Sequence, residues 1–289
     1  MPIRIQSKYS PRKTIRGKTS AFVPSRTLHS LHAQYRILIV NLPRLDPRIS
    51  LRRLRNSVRT AVVLSGGEGI RLLPITKDLP KGLVKVGGKP LLQWVVEWLR
   101  ENGVTSIVMG VAYLKDHIIN YFGNGDRFGV EIKYSIHTVQ GGTGEGFSLA
   151  IGRYVSDDIF FALNGDQITN LRLGSLLGKH IEKSAIATIA VVHPRLPFGL
   201  VKVDRHDNCL GFLEKPILKE RFISTGVYVF DRRITRYLPR RGDIERVTFP
   251  SLSHFHKLAV YRHPGSFITV NSLRELEEAE NQLKGNHLN

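Results

Sequence analysis

From Thr60 onward, short apolar runs alternate with amphipathic stretches, and few architectures accommodate that rhythm. Residues 61–64 form an apolar run that breaks into Gly66-Gly67-Glu68-Gly69, as a buried strand entering a tight loop does. Residues 90–102 carry Leu91, Leu92, Val95, Val96 and Leu99 at helical spacing, with Gly103 placed to end the helix. The succession continues as strand 107–111, helix 114–122, strand 131–134, helix 144–154, strand 159–163, helix 171–183 and strand 185–192. It predicts an α/β fold with a mainly parallel sheet and helices on both faces. Ligands of such sheets bind outside the carboxyl ends of the strands. The Gly66 loop, the Gly141-Gly142 loop and the Asn164-Gly165-Asp166 turn all fall at that edge and are expected to converge on one crevice.

Beyond about residue 193 the rhythm changes. Residues 200–203, 210–213 and 226–230 are strand-like with short links and predict a small antiparallel subdomain, before helices at 234–238, 244–252 and 272–283. No apolar run approaches the roughly 18 residues that span a bilayer, so no membrane association is expected. The lone Cys209 excludes an intramolecular disulfide and a thiolate metal site, which fits a reducing cytoplasm.

The net charge of +19 points at first to nucleic acid, but residues 1–60 hold 14 Lys/Arg against one acid, whereas residues 61–289 hold 29 against 23. Most of the basicity therefore belongs to residues 1–59, which show no sustained periodicity. That segment reads as a basic arm for nucleic acid or an anionic surface, as a targeting sequence, or as a disordered extension. The last is favoured, because basic tails of low order are usually solvated. Residues 60–289 then form the folded domain, and nucleic acid is not expected as a partner.

The stretch from Leu64 to Thr76, Leu-Ser-Gly-Gly-Glu-Gly-Ile-Arg-Leu-Leu-Pro-Ile-Thr, with Pro80-Lys81 after it, is the most informative in the chain. Glycines let backbone N–H groups approach phosphate oxygens, and Arg71 and Lys81 follow to neutralise a polyphosphate. The loop lacks the Gly-Lys-Ser/Thr ending of a P-loop and the third glycine of a dinucleotide fingerprint.

The whole string closely resembles the signature of the nucleoside-diphosphate-sugar pyrophosphorylases, the sugar-1-phosphate nucleotidyltransferases. Gly142-Thr143, Asn164-Gly165-Asp166, Phe198-Gly199-Leu200-Val201, Glu214-Lys215-Pro216 and the segment Thr225 to Phe230 follow in the family's order. The likeness covers roughly residues 60–284. It implies a Rossmann-like sheet with the antiparallel part binding sugar, and transfer of a nucleotidyl group from a nucleoside triphosphate to a sugar 1-phosphate. It also implies roles. Arg71 and Lys81 would hold the triphosphate and the departing pyrophosphate, and Asp166 would bind Mg²⁺. Leu64, Ser65, Gly66, Gly67, Gly69, Gly142 and Thr143 would contact the nucleotide. Gly199, Glu214, Lys215 and Thr225 would hold the sugar phosphate.

Two positions depart from the pattern. Asn271 stands where the family's second metal carboxylate is expected, and Ile70 where a hydroxyl residue is frequent. Asn271 can ligate Mg²⁺ through its carbonyl, or it can merely precede a helix capped by Ser272 and Glu275. The resemblance leaves base and sugar open, with a lean toward GTP and mannose 1-phosphate over thymidylyl or uridylyl transfer to glucose 1-phosphate. A weakly active regulatory homologue and a homo-oligomer also stay open. An end near residue 289 is expected to leave a single-function catalytic domain.

Overall fold

The computed structural model describes residues 58–285. The extension read over residues 1–59 lies, up to residue 57, outside the described residues. In chain order, β1 (Thr60–Ser65) runs through the glycine loop to short β2 (Lys85–Val86) and β3 (Lys89–Pro90) and then α1 (Leu91–Glu101). There follow β4 (Ser106–Val111), α2 (Lys115–Phe122), β5 (Glu131–Ile136), α3 (Gly142–Tyr154), β6 (Ile159–Asn164), β7 (Gln167–Thr169), α4 (Leu173–Lys183) and β8 (Ala187–Val192). The hairpin β9 (Leu200–Val203) and β10 (Cys209–Leu213) precedes β11 (Ile223–Asp231), α5 (Thr248–His254), β12 (Leu258–Arg262), β13 (Phe267–Thr269) and α6 (Leu273–Lys284).

Seven strands form the central sheet in the order β12-β8-β11-β6-β1-β4-β5. β1 lies at its heart, parallel to both neighbours, with Val63 opposite Met109 and Leu163. Side chains alternate across such a sheet, and the apolar run of β1 serves both faces. Ala61 and Val63 pack with Leu92, Val96 and Leu99 of α1 and Leu176 of α4. Val62 and Leu64 pack with Phe147 and Ile151 of α3 and Leu252 of α5. Helices therefore cover both faces, as the alternation implies.

The structure corrects the reading of residues 226–230 as part of a separate subdomain. β11 is inserted antiparallel between β6 and β8 in the main sheet. Val227, Tyr228, Val229 and Phe230 are all buried, so this strand is apolar on both faces, as a central strand must be. Only β9 and β10 form the separate antiparallel hairpin among the segments read that way. A second small pairing matters more for the site. β13 runs antiparallel to β7 with Thr269 opposite Gln167, which sets the start of α6 beside the Asp166 turn.

Behind the sheet, His180 of α4 is buried, with Nδ1 2.9 Å from the Thr188 hydroxyl of β8. Burial pushes its pKa down to about 4, against the counter-pull of Asp231. The folded chain thus holds the ring neutral, while the unfolded chain protonates it near pH 6.5. Stability is full above about pH 6.5 and falls as pH drops toward 4, the loss from this group approaching about 3 kcal/mol. Urea unfolding at pH 7.5 and 4.5 should show a smaller acid loss for His180→Leu than for the parent. Equal losses would show that the ring is not held neutral.

Candidate active site

The site grows from the carboxyl edge of the sheet, where β1 and β6 end side by side. The Gly165 amide donates to the Leu64 carbonyl at 2.8 Å, tying the Asp166 turn to the start of the glycine loop. At Gly66 the backbone passes close under the His137 ring, which a Cβ would push aside. Further along, Thr76 Oγ1 donates to the Gly69 carbonyl at 2.9 Å, and the Tyr113 hydroxyl donates to the Lys77 carbonyl at 2.8 Å. Leu72 anchors the loop from beneath, fully buried with Val86, Leu91, Ile268 and Val270. Arg71 beside it stays exposed, lines the cavity and makes no side-chain hydrogen bond or ion pair among the described residues.

Lys81 occupies the centre. Its ammonium donates to Asp166 Oδ2 at 2.8 Å and to Asn271 Oδ1 at 2.7 Å. The Asn271 amide donates to Glu275 Oε2 at 2.8 Å, and Ser272 Oγ accepts from the Glu275 amide at 3.2 Å. Asn271 thus precedes a capped helix, and its side-chain carbonyl faces the centre of the site. Two oxygens from different elements aimed at one positive charge are also a partial shell for a hard divalent cation, which favours carboxylate, carbonyl and phosphate oxygens. Among the described residues no group of three or more His, Cys, Asp or Glu could hold a metal alone. Bound phosphates and water would complete the shell.

A second cluster borders the same cavity. The Gly242 amide donates to the Gly141 carbonyl at 2.9 Å, and the Gly144 amide donates to the Gly242 carbonyl at 2.8 Å. Thr143 Oγ1 accepts from the Ile244 amide at 2.9 Å and donates to Glu245 Oε2 at 2.8 Å. Burial and the neighbouring Glu245 carboxylate push the Tyr228 hydroxyl well above its ordinary range, so it stays protonated, with Glu245 Oε1 3.4 Å away. Residues 242–245 thus clasp the turn at the start of α3 from about a hundred residues away.

The cavity between these clusters measures about 690 Å³, within the usual range for small-molecule sites. Of the residues read from sequence, it brings together Leu64, Ser65, Gly66, Gly67, Gly69, Arg71, Lys81, Gly142, Thr143, Asp166 and Asn271. Residues 60–249 match the nucleotidyl transferase family. The chain belongs to that family. It is 34% identical over 213 residues to UTP–glucose-1-phosphate uridylyltransferase of Synechocystis sp., covering 66% of this chain and 54% of the relative. It is 30% identical over 232 residues to mannose-1-phosphate guanylyltransferase of Mycobacterium tuberculosis, covering 78% of this chain and 63% of the relative. The chain thus spans little more than half to under two thirds of these relatives' lengths. In fold it is similar to the crystal structure of HddC from Yersinia pseudotuberculosis, with a TM-score of 0.63 and 22% identity over 78% of this chain and all of that one.

Other residues read from sequence lie elsewhere in this nucleotidyl transferase fold. Gly199, Glu214, Lys215 and Thr225 do not line the cavity. Glu214 and Lys215 are exposed at the end of the β9–β10 hairpin, 3.9 Å apart. The buried Thr225 hydroxyl donates to the Ala190 carbonyl at 2.9 Å. Conversely, His137, Val139 and Asp243 line the cavity although nothing local singled them out. Arg241-Gly242-Asp243 reads only as a turn, and its docking partner is distant in sequence.

Gly142 sits at φ 69°, where a Cβ would approach the Gly242 carbonyl oxygen and Asp243 Oδ1 to 2.7 Å each. Gly142→Ala should therefore cost about 1–3 kcal/mol. That corresponds to a fall of about 3–10 °C in Tm for a domain of this size. An unchanged Tm would show that the clasp yields without strain.

Proposed function

We propose that this cleft transfers a nucleotidyl group from a nucleoside triphosphate to a sugar 1-phosphate and releases pyrophosphate. The observation that carries the reading is the convergence of the glycine loop and the exposed Arg71 with the Lys81–Asp166–Asn271 cluster in one cavity. The Synechocystis and Mycobacterium relatives bear names that share a sugar 1-phosphate acceptor and differ in the base.

The chemistry accounts for the residue types. A phosphate monoester has a second pKa near 6, so the attacking sugar-phosphate oxygen is already anionic at neutral pH. No side-chain base has to activate it. That oxygen forms a bond to the α-phosphorus while the bond from the α-phosphorus to the bridging oxygen breaks, and pyrophosphate leaves with the electron pair. The obstacle is bringing polyanions together, so positioning and charge neutralisation supply the catalysis. Arg71 and Lys81 hold the triphosphate and offset charge growing on the leaving group. Backbone groups of Gly66, Gly67, Gly69 and Gly142, with Leu64, Ser65 and Thr143, seat the nucleotide.

Asp166 and Asn271 are the chain's oxygens for Mg²⁺. When bound, Mg²⁺ neutralises phosphate charge and polarises the phosphoryl group. Gly199, Glu214, Lys215 and Thr225 form the sugar end in this reading. The side chains of Glu214 and Lys215 have no hydrogen-bond or ion-pair partner but each other among the described residues. Residues 60–289 act as the catalytic domain in a cytoplasmic setting, with residues 1–59 a dispensable extension. The uncharged Asn271 favours one second reading, a homologue that binds the same ligands and turns over slowly.

Pyrophosphate release, measured across triphosphate and sugar 1-phosphate pairs at fixed Mg²⁺, tests the proposal. At least one pair should turn over, and Arg71→Ala should slow it by about 100-fold or more. Near-normal rates in that variant would remove Arg71 from the site. Saturable binding without pyrophosphate release from any pair would favour the binding homologue.

A further inference from the structure

None of the hydrogen bonds of the 242–245 clasp uses the Asp243 carboxylate. Gly242 before it and Ile244 and Glu245 after it are fastened to the Gly141–Gly144 turn by the hydrogen bonds above. Its carboxylate instead lines the cavity against Gly142. Its one ionic contact among the described residues is the exposed Arg246, at 3.8 Å, too long and too solvated to satisfy it. An ionised carboxylate is an acceptor only, with room for several hydrogen bonds. It is therefore an acceptor held in place by its neighbours and facing the ligand space.

Asp166 is paired with the Lys81 ammonium at 2.8 Å, whereas the Asp243 carboxylate has no such close cation and repels phosphates, so the triphosphate belongs with Arg71 and Lys81 and not beside Asp243. The nucleoside end is what remains for the Gly142–Asp243 cluster. Among the bases, guanine presents two adjacent donors on one edge, N1–H and the N2 amino group. Uracil and thymine present a single N–H flanked by carbonyl oxygens, whose lone pairs face a carboxylate unfavourably. Cytosine and adenine offer one amino group beside a ring nitrogen acceptor.

We propose that Asp243 reads the base and selects a guanine nucleotide through these two donors. The inference rests on the nucleotide reading of the cavity and adds to it a specificity-determining residue. A charge-assisted hydrogen bond of this kind corresponds to about 10- to 100-fold in affinity.

Inosine nucleotides test it, because they differ from guanosine nucleotides only in lacking the N2 amino group. Binding of GDP, IDP, UDP and CDP to the full chain is measured by calorimetry, alongside turnover of the corresponding triphosphates. The parent should bind GDP tightest and prefer it to IDP by about 10-fold or more. In Asp243→Ala and Asp243→Asn the GDP-to-IDP ratio should fall to about 1, with UDP and CDP changed by less than about 3-fold and Tm preserved. A GDP-to-IDP ratio that survives both substitutions overturns the proposal. So does an equal loss for every base, which would place the carboxylate on the ribose, or a parent that binds UDP tightest. Turnover with a pyrimidine triphosphate alone would sink the inference and leave the transfer reaction standing. Asp243-dependent GDP selectivity without pyrophosphate release would do the reverse, and no nucleotide binding at all would end both.

Discussion

The Lys81 ammonium holds together three stretches of chain that are far apart in sequence. Its bonds to Asp166 and Asn271 span 85 and 190 residues, so its charge links the turn after β6 to the start of α6. The backbone prepares this meeting. β13 pairs with β7 in a register that carries Asn271 to the Asp166 turn, and Leu72, Ile268, Val270 and Ala279 form one small apolar cluster beneath the glycine loop. Removing Lys81 would leave a carboxylate and an amide oxygen facing each other with no positive charge, unless a metal ion took that place. The arrangement therefore ties the integrity of the site to a cation there, supplied by the chain or by a ligand complex.

Around that centre the cleft divides its work by charge. Arg71 and Lys81 make one region fit for phosphates, while Asp243 makes the other unfit for them. A nucleotide has the same division, with a polyanionic end and a hydrogen-bonding base. The clasp of residues 242–245 on the Gly141–Gly144 turn keeps the second region in shape without using the Asp243 side chain. Rigid flanks around a side chain that faces the ligand are what selective recognition needs, since little ordering is left to do on binding.

How much of this was legible depended on range. The helix α1 and the strand β1 were readable because their apolar periodicity is written within a dozen residues. The glycine loop, Arg71, Lys81 and the Asp166 turn were readable because their spacing is local too. β11 was misplaced because its antiparallel neighbours are set by the sheet and not by residues 223–231 themselves; only its unbroken apolar run from Val227 to Phe230 hinted at a central position. Thr143 lines the cavity, and its hydroxyl is engaged by Ile244 and Glu245, a pairing that its local sequence does not show. Asp243 and His137 reach the cavity through tertiary docking, which leaves no periodic trace.

The central claim is that the cavity between the glycine loop and the Lys81 cluster seats a nucleotide with its phosphates toward Arg71 and Asp166. A crystal structure of the full chain with a non-hydrolysable nucleoside triphosphate and Mg²⁺ tests it most directly. The account predicts the triphosphate along the glycine loop, its α-phosphate between Arg71 and Asp166, and the base beside Gly142. A nucleotide bound elsewhere, or lying here with its phosphates against Asp243, would contradict it.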